Sequence, residues 1–333
     1  MIRIGLDAFG GDNGEKEVIR AAICSLKENK DISLIIFGDE EIIKNEFSNA
    51  NFDYANNNVT IVDAKEKIDM NDHPVIALRT KTNSSIVKAG KALLDNELDA
   101  FVSAGSTGAL VATAQFIVKP IAGVERPVLG AILPTNKNPM ILIDSGCNVD
   151  SKPEWLYQYA ILANFYYKLM FNVERPSIGL LSVGTEENKG NSLTLSTYKL
   201  IKENKDLNFI GNVEARDLTY GVCDIVVTDG FAGNVFLKTY EGTAKMLLEL
   251  IKKQIMSSFI SKIGGLLIKP ALKKLLTKYD AKIYGGAPIL GANALIIKCH
   301  GNSKLGEYIY TIRQAYELVN KKLIEMTKEF LAR

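Results

Sequence analysis

The stretch AFVSAGSTGALVATAQFIV, residues 100–118, shows how this chain is built. Its first four residues are apolar or small and predict a buried strand, and its alanine-rich second half predicts a helix. The turn between them reads Ser103-Ala104-Gly105-Ser106-Thr107-Gly108. A strand that leads through a short glycine-containing turn into a helix is the repeating unit of parallel α/β sheets.

The same unit recurs on both sides of this stretch. Strands are predicted at 3–6, 33–37, 59–62, 100–103, 128–133, 140–143, 177–182, 208–211, 224–228 and 294–298. Helices are predicted at 15–29, 84–96, 108–118, 153–170, 192–204, 233–255 and 303–331. The alternation predicts a three-layer α/β/α fold with a mainly parallel sheet. Because no repeat or low-complexity linker interrupts it, we expect one catalytic unit, residues 1–333, with a soft division near residue 150.

Composition excludes several classes of protein. The chain has 47% hydrophobic and 23% charged residues, which is a globular balance, and its net charge of +2 argues against a nucleic-acid partner. The four cysteines form no CxxC pair and there are only two histidines, so we expect no metal site. Scattered cysteines fit a cytoplasmic protein, and no apolar run reaches the ~20 residues that span a bilayer.

Six polar, glycine-rich loops follow the predicted strands. In open α/β sheets the carboxyl ends of the strands form the ligand crevice, so these loops are the candidate substrate-binding positions. An ordinary turn or helix cap would explain any one of them, but together they predict an anion site on one edge of the sheet. The candidate residues are Asp7, Gly10 and Gly11; Ser103, Gly105, Ser106, Thr107 and Gly108; Asp144 and Asn148; Glu186 and Lys189; Asp229, Gly230, Gly233, Asn234 and Lys238; and His300, which follows the glycine-rich stretch 284–291.

Taken together, the loops resemble one known family, the phosphate acyltransferases (acyl-acyl-carrier-protein:phosphate transacylases) of bacterial phospholipid synthesis. The matching stretches span nearly the whole chain in order. They are 7–12, 103–108, 144–148, 182–190, 211–218, 228–242 and 284–300. The resemblance implies a fold like that of phosphotransacetylases and isocitrate dehydrogenase-like proteins, and a homodimer. It also implies acyl carrier protein and inorganic phosphate as partners, with the acyl phosphate passed to a membrane glycerol-3-phosphate acyltransferase.

The proposed reaction needs no cofactor and no strong base, because phosphate is already largely dianionic near neutral pH. We expect phosphate on the backbone of 103–108, assisted by the hydroxyls of Ser106 and Thr107, with Lys238 or Lys189 balancing its charge. Lys238 could equally pair with the carboxylate of Asp229. Asn234 or backbone amides would stabilise the oxyanion. His300 would protonate the leaving thiolate, unless it is a structural hydrogen-bond partner at a strand end.

Residues 252–282 form a basic, amphipathic helical segment with eight lysines and one aspartate. Gly264-Gly265 is expected to break it into two helices, the second of which Pro270 would open. Such a segment suits an anionic membrane surface, so we expect a peripherally membrane-associated protein. It could instead attract an acidic carrier protein, or pack in a dimer interface.

Three other functions fit parts of the sequence. A short-chain phosphotransacetylase would use coenzyme A as the donor. An NAD-dependent decarboxylating dehydrogenase could share the fold, although Gly10-Gly11 lacks the GxGxxG spacing of a dinucleotide site. A membrane-bound organiser of lipid enzymes would bind lipid without catalysing any transfer.

Overall fold

The computed structural model describes residues 1–11, 14–279 and 281–332, and outside the side chains of Lys278, Ala281 and Lys282 it describes them fully. Its strands are β1 (Ile2–Asp7), β2 (Ile32–Gly38), β3 (Val59–Asp63), β4 (Ala100–Ser103), β5 (Val128–Leu129), β6 (Ala131–Leu133), β7 (Met140–Ile143), β8 (Ser177–Ser182), β9 (Asn208–Glu214), β10 (Ile225–Val227), β11 (Ala287–Leu290) and β12 (Leu295–Lys298). They form a seven-stranded sheet, in the order β3-β2-β1-β4-β12-β11-β5, and a five-stranded sheet, in the order β6-β7-β10-β8-β9.

The helices are α1 (Gly14–Glu28), α2 (Glu40–Asn49), α3 (Pro74–Thr80), α4 (Ser85–Leu94), α5 (Thr107–Thr113), α6 (Pro153–Phe171), α7 (Ser192–Glu203), α8 (Gly230–Ile255), α9 (Phe259–Lys278), α10 (Leu305–Asn320) and α11 (Leu323–Leu331). A π-helical turn, Ala114–Val118, continues α5. The helices α2 and α3 are not among those that the sequence predicts.

Helices cover both faces of each sheet, which confirms the predicted three-layer α/β/α architecture. In the first sheet, α1 and α10 pack with Ile4 and Leu6 on one face, and α4 and α5 pack with Phe101 on the other. In the second sheet, α6 buries Tyr159 and Tyr166 on one face and α8 packs Phe236 on the other. One core cluster contains residues of both sheets, so their interiors are continuous.

The predicted single strand 128–133 is wrong, because Gly130 divides it between the two sheets. β5 pairs antiparallel with β11 in the first sheet, and β6 pairs antiparallel with β7 in the second. The chain therefore enters the second sheet at Gly130, upstream of the division expected near residue 150. The stretch 284–291 was expected to be a loop, but it contains β11, which pairs antiparallel with β12.

Two helix predictions also need correction. The predicted helix 303–331 is two helices, α10 and α11, separated by Lys321 and by Lys322 with a left-handed φ of 55°. Gly264-Gly265 does not break the basic segment: α9 begins at Phe259, after the N-cap Ser258 whose hydroxyl accepts from the Ser261 N–H, and runs through both glycines and Pro270. A Cβ at position 265 would lie 2.4 Å from Ile255 Cγ2, so α8 and α9 approach each other closely at this glycine.

α8 and α9 form a protruding helical hairpin, which contains the basic amphipathic segment predicted from the sequence. Large apolar side chains are exposed along the second half of α8 and all of α9, including Ile260 at 82% and Leu267 at 78%. Within the described residues, no helix is both long and apolar enough to cross a membrane.

Candidate active site

The loops that follow β1 and β4 are locked together by a buried hydrogen-bond chain. The Gly105 N–H donates to Ser103 Oγ at 2.9 Å, and the Ser103 hydroxyl donates to Asp7 Oδ2 at 2.5 Å. Asp7 Oδ1 accepts from the backbone of Phe9, and burial raises the pKa of the Asp7 carboxyl. Both carboxylate oxygens are thus used inside the protein, where they fix the shape of the 103–108 loop.

Close backbone approach explains the glycines of this first group of loops. A Cβ on Gly10 would lie 2.7 Å from the amide nitrogen of Ala104, and one on Gly11 would lie 2.7 Å from the carbonyl oxygen of Gly301. His300 therefore lies at the rim of the first sheet beside the 7–11 loop. Its side chain is exposed, and its Nδ1 faces the Asn302 N–H at 3.4 Å. Asp12, at the end of the first motif, lies outside the described residues.

Asp144 organises a second group of loops at the end of β7. Its carboxylate is fully buried and accepts three backbone N–H bonds, from Gly146 and Cys147 at 2.8 Å and from Asn148 at 2.7 Å. Burial raises the pKa of this carboxyl, and those three bonds oppose the rise. The result is a tight 144–148 loop held by one side chain.

The start of α8 packs against this loop. Asp229 caps the helix by accepting from Phe231 and Ala232, and the Gly230 N–H donates to the Asn148 carbonyl at 2.9 Å. A Cβ on Gly233 would lie only 1.9 Å from the Asp144 carbonyl oxygen. The structure therefore brings together Asp144, Asn148, Asp229, Gly230 and Gly233, as the sequence predicted for loops on one edge. Asn234 lies across from Gly146, where a Cβ would be 3.3 Å from the Asn234 side chain.

A cleft of about 290 Å³ joins the two groups of loops. Thr107 and Gly108 line it from the first sheet, and Gly146, Cys147 and Asn148 line it from the second. Its remaining lining residues are of two kinds, polar and apolar. They are Gln115 and Arg126, and Pro74, Val75, Val111, Ala112, Phe116 and Pro127. A cleft lined by both polar and apolar residues can accept a small anion together with an alkyl chain.

Ser106 supports the cleft from behind, because it caps α5 by accepting from the Ala109 N–H at 3.4 Å and is 6% exposed. Lys238 and Lys189 are both exposed. Lys238 forms an ion pair with Glu241 at 2.9 Å on α8, rather than with Asp229. Glu186 and Lys189 lie in the 184–190 loop after β8, where the Glu186 carbonyl accepts from Asn212. Neither Glu186 nor Lys189 lines the cleft.

Arg126 is the residue that the sequence analysis missed. It precedes the strand run 128–133, and in an all-parallel sheet that position would lie on the edge away from the loops. The antiparallel pairing of β6 with β7 instead places the beginning of this run beside the end of β7. Asn148 Nδ2 donates to the Pro127 carbonyl at 3.2 Å, which fixes Arg126 next to the 144–148 loop. Without knowledge of the pairing between β6 and β7, the Arg126-Pro127 pair is only a weak indication of a site residue.

This fold and cleft define a class of two-sheet α/β proteins with a ligand site between the sheets. A phosphotransacetylase from Streptococcus pyogenes shares the fold with a TM-score of 0.62 and 18% identity, over 97% of this chain and 94% of its own. A branched-chain phosphotransacylase from Enterococcus faecalis has a TM-score of 0.58 and 14% identity, over 96% and 99%. A 4-hydroxythreonine-4-phosphate dehydrogenase from Klebsiella pneumoniae reaches 0.53 at 12% identity, over 96% and 100%.

The chain belongs to the fatty acid synthesis protein family, whose model matches residues 2–326. A phosphate acyltransferase of Clostridium botulinum is 47% identical over 333 residues, covering 99% of each chain. One from Caldicellulosiruptor bescii is 45% identical over 329 residues, covering 98% of each. These relatives confirm the predicted resemblance, and they place the chain among the phosphate acyltransferases, which are transferases.

Proposed function

We propose that this protein transfers a fatty acyl group reversibly from acyl-acyl carrier protein to inorganic phosphate, supplying acyl phosphate for phospholipid synthesis. The observation that carries the proposal is the cleft between the sheets, whose polar and apolar lining residues suit the two parts of an acyl phosphate. Phosphate and an acyl group are proposed as substrates because the relatives are named phosphate acyltransferases. The carrier protein as donor is what the family resemblance implies, and the exposed basic hairpin would suit an acidic carrier protein.

In the proposed reaction, a phosphate oxygen attacks the thioester carbonyl carbon and a C–O bond forms. The carbonyl oxygen becomes an oxyanion, which the Asn234 amide would stabilise, because the N–H groups of the 144–148 loop are already bonded inside the protein. The C–S bond then breaks as the carbonyl re-forms, and the leaving thiolate takes a proton, for which His300 remains our candidate donor. Thr107 and Gly108 would hold phosphate, with Ser106 and Asp7 fixing their loop.

Direct attack by phosphate is favoured over an acyl-enzyme on Cys147. This cysteine lines the cleft, but burial and the nearby Asp144 carboxylate raise the pKa of its thiol well above the usual value. A thiol that stays protonated is a poor nucleophile. Since phosphate is itself an adequate nucleophile, the reaction does not require this cysteine.

The hairpin supports the proposals of a homodimer and of peripheral attachment to an anionic membrane. Met246, Leu247 and Leu248 are consecutive on α8, so they point in three different directions, and each is about half exposed. One flat surface cannot cover all three. A second copy of the chain on one side and lipid or carrier protein on another would bury them, close to a membrane glycerol-3-phosphate acyltransferase. The four free cysteines agree with the proposed cytoplasmic location.

A direct assay tests the reaction. The purified protein is incubated with acyl-acyl carrier protein and phosphate, and free thiol and acyl phosphate are measured together. We expect equal amounts of the two products, and none without phosphate. Acyl-coenzyme A is tested in parallel, and faster turnover of that donor would favour a coenzyme A-dependent enzyme. Release of thiol without acyl phosphate would contradict the proposal.

A further inference from the structure

Among the described residues that line the cleft, Arg126 is the one that carries a charge. Its side chain is half-buried, and its guanidinium carbon lies 5.2 Å from the centre of the Trp155 ring. Within the described part of the chain, no carboxylate lies within ion-pair distance of it, since nearby Glu125 accepts from Trp155 Nε1 at 2.7 Å instead. A partly buried cation that faces a cleft without a counter-charge attracts an anion there.

Gln115 is a second polar residue that lines the cleft. It lies in the π-helical turn that continues α5, and its Oε1 atom is buried without a hydrogen-bond partner. Because Oε1 is an acceptor and is closed off from the cleft, only the side-chain N–H groups of Gln115 could donate to a bound anion. π-helical turns inside α-helices are frequent at functional sites.

We propose that Arg126 binds the phosphate of this reaction together with Thr107 and Gly108, with the side-chain N–H groups of Gln115 donating to the bound anion. The inference rests on the proposed function and deepens it. A guanidinium forms two parallel hydrogen bonds to phosphate oxygens, which fixes the direction of the nucleophile as well as binding it. The stacking of Arg126 on Trp155 holds the fork in place before substrate arrives.

The apolar lining residues of the cleft suit the acyl chain of the same reaction. Val75, Val111 and Phe116 form an apolar wall, and Phe116 is 56% exposed. Phosphate on Arg126 would therefore lie beside the thioester while the first methylene groups contact this wall. The shared chemistry is a phosphate group, which inorganic phosphate and the phosphodiester of the carrier's prosthetic arm both possess. We assign Arg126 to inorganic phosphate.

Two measurements test this assignment. Because Trp155 is the only tryptophan in the chain, its fluorescence reports on the two cations that lie over its ring, the Arg126 guanidinium and the Lys152 ammonium, and the Arg126→Ala variant separates them. Titration of the unmodified protein with inorganic phosphate alone, at constant ionic strength, is expected to give a saturable change in emission. The Arg126→Ala variant should lose that change and raise the KM for phosphate at least about tenfold, with the donor KM changed less than about threefold.

Two further variants make the result decisive. Arg126→Lys keeps the charge but loses the fork, so its phosphate KM should fall between the two. Arg175→Ala removes an exposed arginine at the start of β8, which donates only to the Lys205 carbonyl, and should behave like the unmodified protein. A folded Arg126→Ala protein with an unchanged phosphate KM and fluorescence response would overturn the proposal. So would a rise in the donor KM alone, which would assign Arg126 to the phosphodiester.

The titration distinguishes failure of this inference from failure of the proposed function. If the unmodified protein transfers no acyl group, the assay above has failed, but the phosphate titration without donor still decides whether Arg126 binds an anion.

Discussion

Two buried carboxylates, one behind each group of loops, set the geometry of the cleft, although neither carboxylate lines it. Asp7 shapes the 103–108 loop through Ser103, and Asp144 shapes the 144–148 loop through three N–H bonds. The sequence identified both residues as site candidates because they follow strands. It could not show that their oxygens point inward, since an exposed and a buried aspartate look alike at a strand end. Arg126 was missed for the converse reason, because its place depends on a pairing between distant strands.

Lys238 provides a test at the residue scale. It lies one turn beyond Asn234 on the same face of α8, and its ion pair with Glu241 is exposed. If it contributes positive charge to the site, Lys238→Ala should lower kcat/KM for phosphate by about tenfold. Lys245→Ala, further along α8, is the matched control. Steady-state kinetics compare them, and equal values for both folded variants would remove Lys238 from the site.

At the scale of elements, strands and helices were predictable wherever local pattern decides them. The bounds of the strands β4, β7 and β8 could be predicted almost to the residue, because their apolar residues are buried on both faces of the sheet. β11 was missed because Pro288 and two glycines before it read as a loop, and only the pairing with β12 and β5 makes it a strand. Gly130 was missed as a boundary because apolar residues continue on both sides of it.

The contact between α8 and the 144–148 loop can be tested with one methyl group. Gly233→Ala would place a Cβ 1.9 Å from the Asp144 carbonyl oxygen, so it should lower the free energy of unfolding by about 1–3 kcal/mol and reduce activity. Gly242→Ala on the same helix meets nothing within 4 Å, and should raise stability by up to about 1 kcal/mol. Urea unfolding measures both. A Gly233→Ala protein as stable as Gly242→Ala would contradict the packing described.

At the scale of the whole molecule, the α8–α9 hairpin is unlike the rest of the surface. The body buries its apolar residues in continuous cores, whereas the hairpin exposes side chains such as Phe259 at 78%. Exposed apolar surface of this extent indicates a binding partner. The sequence predicted the segment and its charge, but which of its surfaces meets lipid, carrier protein or a second copy depends on contacts outside one chain.

Liposome flotation tests the membrane proposal. Three hairpin lysines are reversed in charge: Lys269→Glu, Lys273→Glu and Lys274→Glu. The control reverses three exposed lysines elsewhere: Lys199→Glu, Lys205→Glu and Lys328→Glu. Each lysine near an anionic surface contributes about 1 kcal/mol, so the hairpin variant should bind anionic vesicles at least about tenfold more weakly, and the control should bind much as the unmodified protein does. Equal flotation of the two variants would exclude the hairpin lysines from lipid binding.

The split of one apolar run at Gly130 has a mechanical consequence. Val128 and Leu129 belong to the first sheet, and Ala131 to Leu133 belong to the second, so Gly130 is the residue at which the chain passes from one to the other. The opposite walls of the cleft belong to different sheets, and its width therefore follows the angle between them. A wider angle would admit a bulky thioester and a narrower one would hold the reactants together, and either change would have to be absorbed by the core that the two sheets share.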